Sequence, residues 1–151
     1  MRKLIIVIFV LWTFIGCSIG SIPQYPNVGY EKNIIKSDKK ERKLVKRFVE
    51  YWYARTQGDL NKSWEYELPY QKFLGSFKRY KAEVGGYEGA KIRLLKIKYL
   101  APSEAIIMRE VQMGKKRLVK KDKWFYLKDN WYHKYYQTIF PPETMEEAEF
   151  Q

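Results

Sequence analysis

Side chains suited to chemistry are scarce in this sequence. Among 151 residues there is one cysteine, Cys17, and one histidine, His133. One thiol cannot close an intramolecular disulfide, and one thiol with one imidazole cannot complete the four-ligand Cys/His set of a structural zinc site. A Ser-His-Asp relay needs three positioned groups, and nothing marks a nucleophile for His133 to activate. Gly85-Gly86 lacks the Lys-Ser/Thr that follows a phosphate-cradling loop. The sequence is thus read as using no metal and no cofactor. A general base needs a positioned partner and a tuned pKa. Asp38, Asp59, Asp122 and Asp129 fall where helix caps and turns are expected, which leaves Glu110 as the one acid inside a clear strand pattern. A single strand glutamate does not make an acid–base site, so a non-enzymatic chain is expected, with an isomerase or dehydratase as the weakest alternative.

The elements that must position these residues change character midway along the chain. Asp38 with Glu41 suits a capping-box start, and Leu44, Val45, Phe48, Val49 and Trp52 then recur at helical spacing to Gln57. Gly58 fits the left-handed residue that ends a helix, and Asp59 the cap of a second, short helix from Leu60 to about Tyr66. Phe73, Leu74, Phe77 and Tyr80 predict one face of a third helix over about 70–82, before Gly85, Gly86 and Gly89 break the chain. From there the period is two. "AKIRLLKIKYL", with a slip at Leu94-Leu95 that reads as a bulge, "EAIIMREVQM", residues 118–127 and residues 131–138 predict four strands. Helices first and a strand meander after them give an α+β fold with one antiparallel sheet of about four strands.

A three-residue turn at Lys128-Asp129-Asn130 would pair Leu127 with Trp131. His133 would then share a face with Phe125, Leu127, Trp131 and Tyr135, while Trp124, Tyr126, Tyr132, Lys134 and Tyr136 would occupy the other. A lone histidine among aromatics reads first as a packed, hydrogen-bonded core residue, then as a polar group of a binding pocket, and last as a catalytic base. Two aromatic faces both need cover, from the chain's own helices, a second protein or copy, or a small apolar ligand. Trp124, Tyr126, Trp131, Tyr132, His133 and Tyr136 are therefore the candidate pocket or interface residues.

Charge adds a second theme: 29 Lys and Arg against 17 Asp and Glu give +12, which favours anionic partners. The basic residues cluster as "KKERKLVKR", with Lys39, Lys43, Lys46 and Arg47 away from the apolar stripe, and as "GKKRLVKKDK", with Lys115, Lys116, Arg117, Lys120 and Lys121. The plain reading is two solvated faces; the functional one is attraction to anionic lipid or envelope polysaccharide. Nucleic acid is the weaker partner, because the amino terminus argues for a compartment outside the cytoplasm.

Arg2 and Lys3 precede an uncharged apolar run from Leu4 to Ile15, and a small residue, Gly16, stands before Cys17. This is the layout of a secretory signal, and the run is short of the roughly 20 apolar residues that span a bilayer as a helix. Phe14-Ile15-Gly16-Cys17 resembles the lipobox of bacterial lipoproteins, although Phe14 stands where leucine is commonest. The resemblance implies that residues 1–16 are a signal peptide and that Cys17 carries the lipid. It also implies a chain tethered to a membrane of the cell envelope, facing the periplasm or exterior. An uncleaved anchor continuing to Ile22 is the alternative. Removing residues 1–16 takes away two bases and no acid, so the basicity belongs to the domain behind. Residues 17–37, with Pro23, Pro26, Gly20 and Gly29, read as a linker, residues 38–140 as the domain and residues 141–151 as an acidic tail.

Phe48, Trp52, Ala54, Gly58-Asp59, Trp64 and Pro69, followed by strands ending in "DNWYHKYY", are similar to the superfamily of nuclear transport factor 2, ketosteroid isomerase and SnoaL-type proteins. The resemblance implies a cone-like curved sheet wrapped on helices, a pocket at its open end, and frequent dimerisation through the outer face of the sheet.

Overall fold

The computed structural model describes residues 21–36 and 38–135. The lipobox-like stretch with Cys17, the acidic tail and Tyr136 lie outside the described residues.

Helix α1 (Lys39–Thr56) begins where Asp38 accepts a hydrogen bond from the Lys40 N–H at 3.1 Å. Glu41 reaches back past the cap to the Lys36 N–H at 2.6 Å, so it staples the incoming chain instead of closing a capping box on Asp38. Leu44, Val45, Phe48, Val49 and Trp52 are buried, as their spacing predicts. Gly58 has φ +72°, and Asp59 caps helix α2 (Leu60–Glu65) by accepting from the Lys62 N–H at 2.9 Å.

The predicted third helix is two. Helix α3 (Pro69–Leu74) stops at extended Gly75, and Ser76 then caps α4 (Phe77–Glu83) by accepting from the Arg79 N–H. A serine that can bond the backbone two or three residues on starts a new helix more readily than it continues an old one. The break turns Phe73 outward, 87% exposed, while Tyr80 is fully buried, so the two never share a face.

Behind the helices lies a curled, mixed sheet of five strands in the order β1-β2-β3-β4-β5. Strands β2 (Lys91–Ala101), β3 (Glu104–Met113), β4 (Lys116–Leu127) and β5 (Asn130–Lys134) form the predicted antiparallel meander, with a register shift between Leu94 and Lys96 at the expected bulge. The fifth strand comes from the stretch read as linker. Strand β1 (Val28–Tyr30) runs parallel to β2, with Val28 opposite Ile92 and 3% exposed. Tyr25 stacks on Tyr53 of α1 at 3.7 Å, and Ile34 and Ile35 pack on the core. Two prolines and two glycines mimic a linker composition, yet Val28 and the tyrosines beside it have enough apolar surface to dock.

Strand register also departs from expectation. Lys128 and Asp129 both adopt positive φ, 46° and 60°, so the β4–β5 turn has two residues and Leu127 pairs with Asn130. A one-residue slip moves side chains between faces. Trp124 therefore faces the core together with Tyr126, Trp131, His133 and Tyr135, while Phe125 and Tyr132 lie on the other face. Trp52, Trp124 and Trp131 are the largest of the fully buried side chains and join α1 to the sheet.

A Cβ at residue 58 would sit 3.3 Å from Glu88 Cγ in a left-handed backbone. Gly58→Ala should therefore lower stability by about 1–2 kcal/mol in urea denaturation without changing the far-ultraviolet spectrum; an unchanged midpoint would show that the corner is not held in that conformation.

Candidate functional site

The inner face of the sheet carries charge where apolar residues would be expected. Arg109 sits between Ile107 and Val111 on β3 at the same parity, and Asp122 shares the parity of Trp124 on β4. Both are about 95% buried. Arg109 Nε donates to both oxygens of Asp122 at 2.9 and 2.8 Å, and its guanidinium lies over the Trp52 ring at 3.7 Å. The Trp52 indole N–H donates to the same carboxylate at 2.8 Å. Asp122, expected in a turn, is thus a buried strand residue with an arginine and an indole as partners.

The second carboxylate comes from a loop. Between α2 and α3 the chain runs beside β5 as a pseudo-strand, with the His133 N–H donating to Tyr66 O and the Leu68 N–H to His133 O, both at 2.8 Å. This pins Glu67 inside the domain with no exposed surface. Tyr51 and Tyr80 donate their hydroxyls to Glu67 Oε1 at 2.8 and 3.0 Å, and His133 Nδ1 meets Oε2 at 2.9 Å. Arg55 donates to the Tyr51 oxygen at 2.8 Å and to the carbonyl of Val84.

His133 therefore lies between two carboxylates. Its Nε2 is 3.9 Å from Asp122 Oδ1, beyond a direct hydrogen bond but well within Coulomb attraction. Burial alone would lower the imidazole pKa; Glu67 and Asp122 overcome it and push the group up to about 9. Asp122 goes the other way: burial raises its pKa, and Arg109 and His133 outweigh burial and hold it below the ordinary carboxylate value. Burial, with Glu67 adding to it, pushes the Tyr51 phenol well above its usual 10. At neutral pH this gives an imidazolium without a lone pair, a carboxylate occupied by donors and phenols that stay protonated. An acid–base catalyst works best with a pKa near the operating pH, and these groups are tuned away from it.

The network floors a cleft of about 560 Å³, with Trp52, Arg55, Tyr87, Arg109, Asp122 and His133 among its lining. Of the residues singled out by sequence, it brings His133, Lys120 and Lys121 to this cleft. Trp124 and Trp131 are fully buried core, and Tyr126 holds the Lys40 ammonium 4.1 Å above its ring. Tyr132 faces the other side. Glu110 is on that outer face too, paired with Arg93 at 3.6 Å and Arg117 at 4.0 Å, so it cannot act with His133.

The basic clusters divide. Lys39, Lys115, Lys116 and Arg117 are exposed, and Lys46 pairs with Glu50 at 3.8 Å. Lys43 donates to the Asp129 carbonyl and Arg47 to the Trp131 carbonyl at 2.9 Å, with the Arg47 guanidinium stacked on Tyr66 at 4.2 Å. Arg47 is half-buried, so it belongs to packing and not to a solvated basic face. Nothing local in the sequence marks Glu67, Arg55 or Tyr51 as site residues, whereas Arg109 and Asp122 carry a signal in their inward parity.

No protein-family model and no curated protein matches this chain in sequence. Among solved structures it is similar to a nuclear transport factor 2-like protein of unknown function from Shewanella oneidensis MR-1, with 14% identity, 60% of this chain and 91% of that one covered, and a TM-score of 0.42. A second such protein of unknown function, from Cytophaga hutchinsonii ATCC 33406, aligns at 12% identity over 60% of this chain and 86% of that one, with a TM-score of 0.38.

A histidine whose pKa rises on folding gives stability that is complete below its unfolded value near 6.5 and is lost as pH climbs through about 9. Unfolding free energy should therefore fall across pH 6.5–9, by on the order of 3 kcal/mol. In His133→Gln that slope should vanish although the variant is less stable overall; a slope unchanged by the substitution would place its origin elsewhere. Glu67→Gln should cost about 3–5 kcal/mol at pH 7 in urea denaturation, because it leaves the imidazolium poorly compensated; a loss under 1 kcal/mol would contradict the network.

Proposed function

We propose that this chain is a membrane-tethered lipoprotein of a bacterial envelope whose cone-like α+β domain binds a small ligand in the cleft without transforming it. The observation that carries the binding reading is the cleft itself: a concavity with aromatic walls and a few convergent polar groups is the usual form of a small-molecule site. The non-enzymatic part is supported by the state of its ionisable groups. His133 has both ring nitrogens facing carboxylates, and the two carboxylates are occupied by donors from Tyr51, Tyr80, Trp52 and Arg109. The tether rests on Gly16-Cys17 behind the apolar run, where acylation on more than one site would give the stable anchoring that a single chain does not.

A second reading is favoured by the outer face of the sheet. There Lys96 and Lys98 of β2 flank Met108 and Ile106 of β3, with Lys123 of β4, paired with Glu104 at 2.8 Å, beyond Ile106. Such a basic face suits an anionic lipid or polysaccharide surface, and its attraction would weaken sharply between low and physiological salt.

Intact-mass analysis of the membrane fraction tests the address. A diacylglyceryl mass on a chain starting at Cys17, absent in Cys17→Ala, is the expected result; an unmodified chain retaining Met1 would overturn it. Binding is tested by a fragment screen read from protein NMR shifts. Hits should perturb Trp52 and Tyr87, and shifts confined to the outer sheet face would favour the second reading instead.

A further inference from the structure

We infer that the ligand of this cleft carries an oxyanion, a carboxylate or phosphate group of a small molecule, held by Arg109 and Lys120. The inference rests on the reading of the cleft as a ligand site and names the chemistry that it selects.

Arg109 is 5% exposed and lines the cleft, yet its guanidinium is only partly used. Nε serves Asp122, and Nη2 reaches the Tyr87 hydroxyl at 3.5 Å, while Nη1 is buried with no hydrogen-bond partner among the described residues. A buried donor on a cation without an acceptor is uncommon enough to need an explanation, and a turn of the guanidinium that uncovers Nη1 would let an incoming oxyanion supply one. The register adds a second cation. Lys120 stands directly opposite Arg109 on the next strand, on the same face of the sheet, and also lines the cleft. Two basic side chains on adjacent strands repel unless an anion lies between them.

The surrounding charges do not cancel this pair. Asp122 is shared among Arg109, the Trp52 indole and His133, so it does not neutralise Arg109 alone. Glu67 is committed to Tyr51, Tyr80 and His133, and Arg55 adds a further cation to the lining. Glu83, also at the cleft, bonds Arg79 at 2.7 Å. Trp52 and Tyr87 meet edge to face at 5.0 Å and hold the Arg109 guanidinium from two sides, at 3.7 and 5.4 Å. Trp52 is buried under that guanidinium, so half-buried Tyr87 is the ring that gives an anion-bearing molecule an aromatic seat, and the preferred ligand joins an oxyanion to a flat apolar body.

The test compares matched probes by protein NMR: benzoate and phenyl phosphate against neutral benzamide, with inorganic phosphate as the anion without an aromatic body. Benzoate or phenyl phosphate should shift the Arg109 Nε–H and Trp52 indole signals and bind at least tenfold more tightly than benzamide. Lys120→Gln, which leaves every hydrogen bond of the buried network in place, should weaken them roughly tenfold. Arg109→Lys, checked for folding by its dispersed spectrum, should weaken them further. Equal binding of benzamide would overturn the anion while leaving the cleft as a ligand site. Failure of all four probes would overturn both. Anion binding unaffected by Lys120→Gln would also overturn the proposal, since it would place the anion elsewhere. Inorganic phosphate binding as tightly as phenyl phosphate would overturn the aromatic seat and with it the ligand described here.

Discussion

Glu67 meeting His133 inside the domain is the contact on which the rest depends. A carboxylate with no exposed surface is tolerated only with a cation and enough donors around it, and here it has an imidazolium and two tyrosine hydroxyls. Each partner arrives on a different element: Tyr51 from α1, Tyr80 from α4 and His133 from β5. Through His133 the set continues to Asp122 on β4 and from there to Arg109 on β3 and Trp52 on α1. The helical layer and the sheet are thus joined by one chain of charge and hydrogen bonds as well as by apolar packing. An apolar core would bind the layers with less precision. Tyr51, Tyr80 and His133 must all reach Glu67 at once, and that fixes one arrangement of α1, the 66–68 segment and the sheet.

That arrangement explains why the cleft has a charged floor. His133 and Asp122 are displaced in opposite directions, the imidazole upward by Glu67 and Asp122 and the Asp122 carboxyl downward by Arg109 and His133. Chemistry that shuttles a proton would need one of them near pH 7. Recognition of an anion, as proposed for the cleft, needs basic side chains held in place, and Arg55, Arg109 and His133 are buried along its lining.

Much of the fold was legible from the sequence because its signals are local. The Gly58-Asp59 corner, the Leu94-Leu95 bulge and the change of period after Gly89 each depend on a few neighbouring residues. What failed depended on competition or distance. Ser76 split a helix because its cap outweighed the apolar spacing, and Lys128-Asp129 made a two-residue turn without the glycine that usually advertises one. Strand β1 hid in a stretch with linker composition. Glu67 could not have been found, since a glutamate before Leu-Pro looks like any loop acid until the pseudo-strand beside β5 places it inside. Arg109 and Asp122 could have been: strict alternation assigns both to the inner face, and an opposite-charge pair on adjacent strands is the way such a burial is made tolerable.

Held between Glu67 and Asp122, His133 should be an imidazolium at neutral pH. It is the chain's one histidine, so its ring C–H resonances can be followed by NMR through a pH titration without overlap. A midpoint near 9 is expected in the folded protein. A midpoint at or below the ordinary 6.5 would contradict it, for the imidazole would then be neutral at physiological pH and free to act as a base.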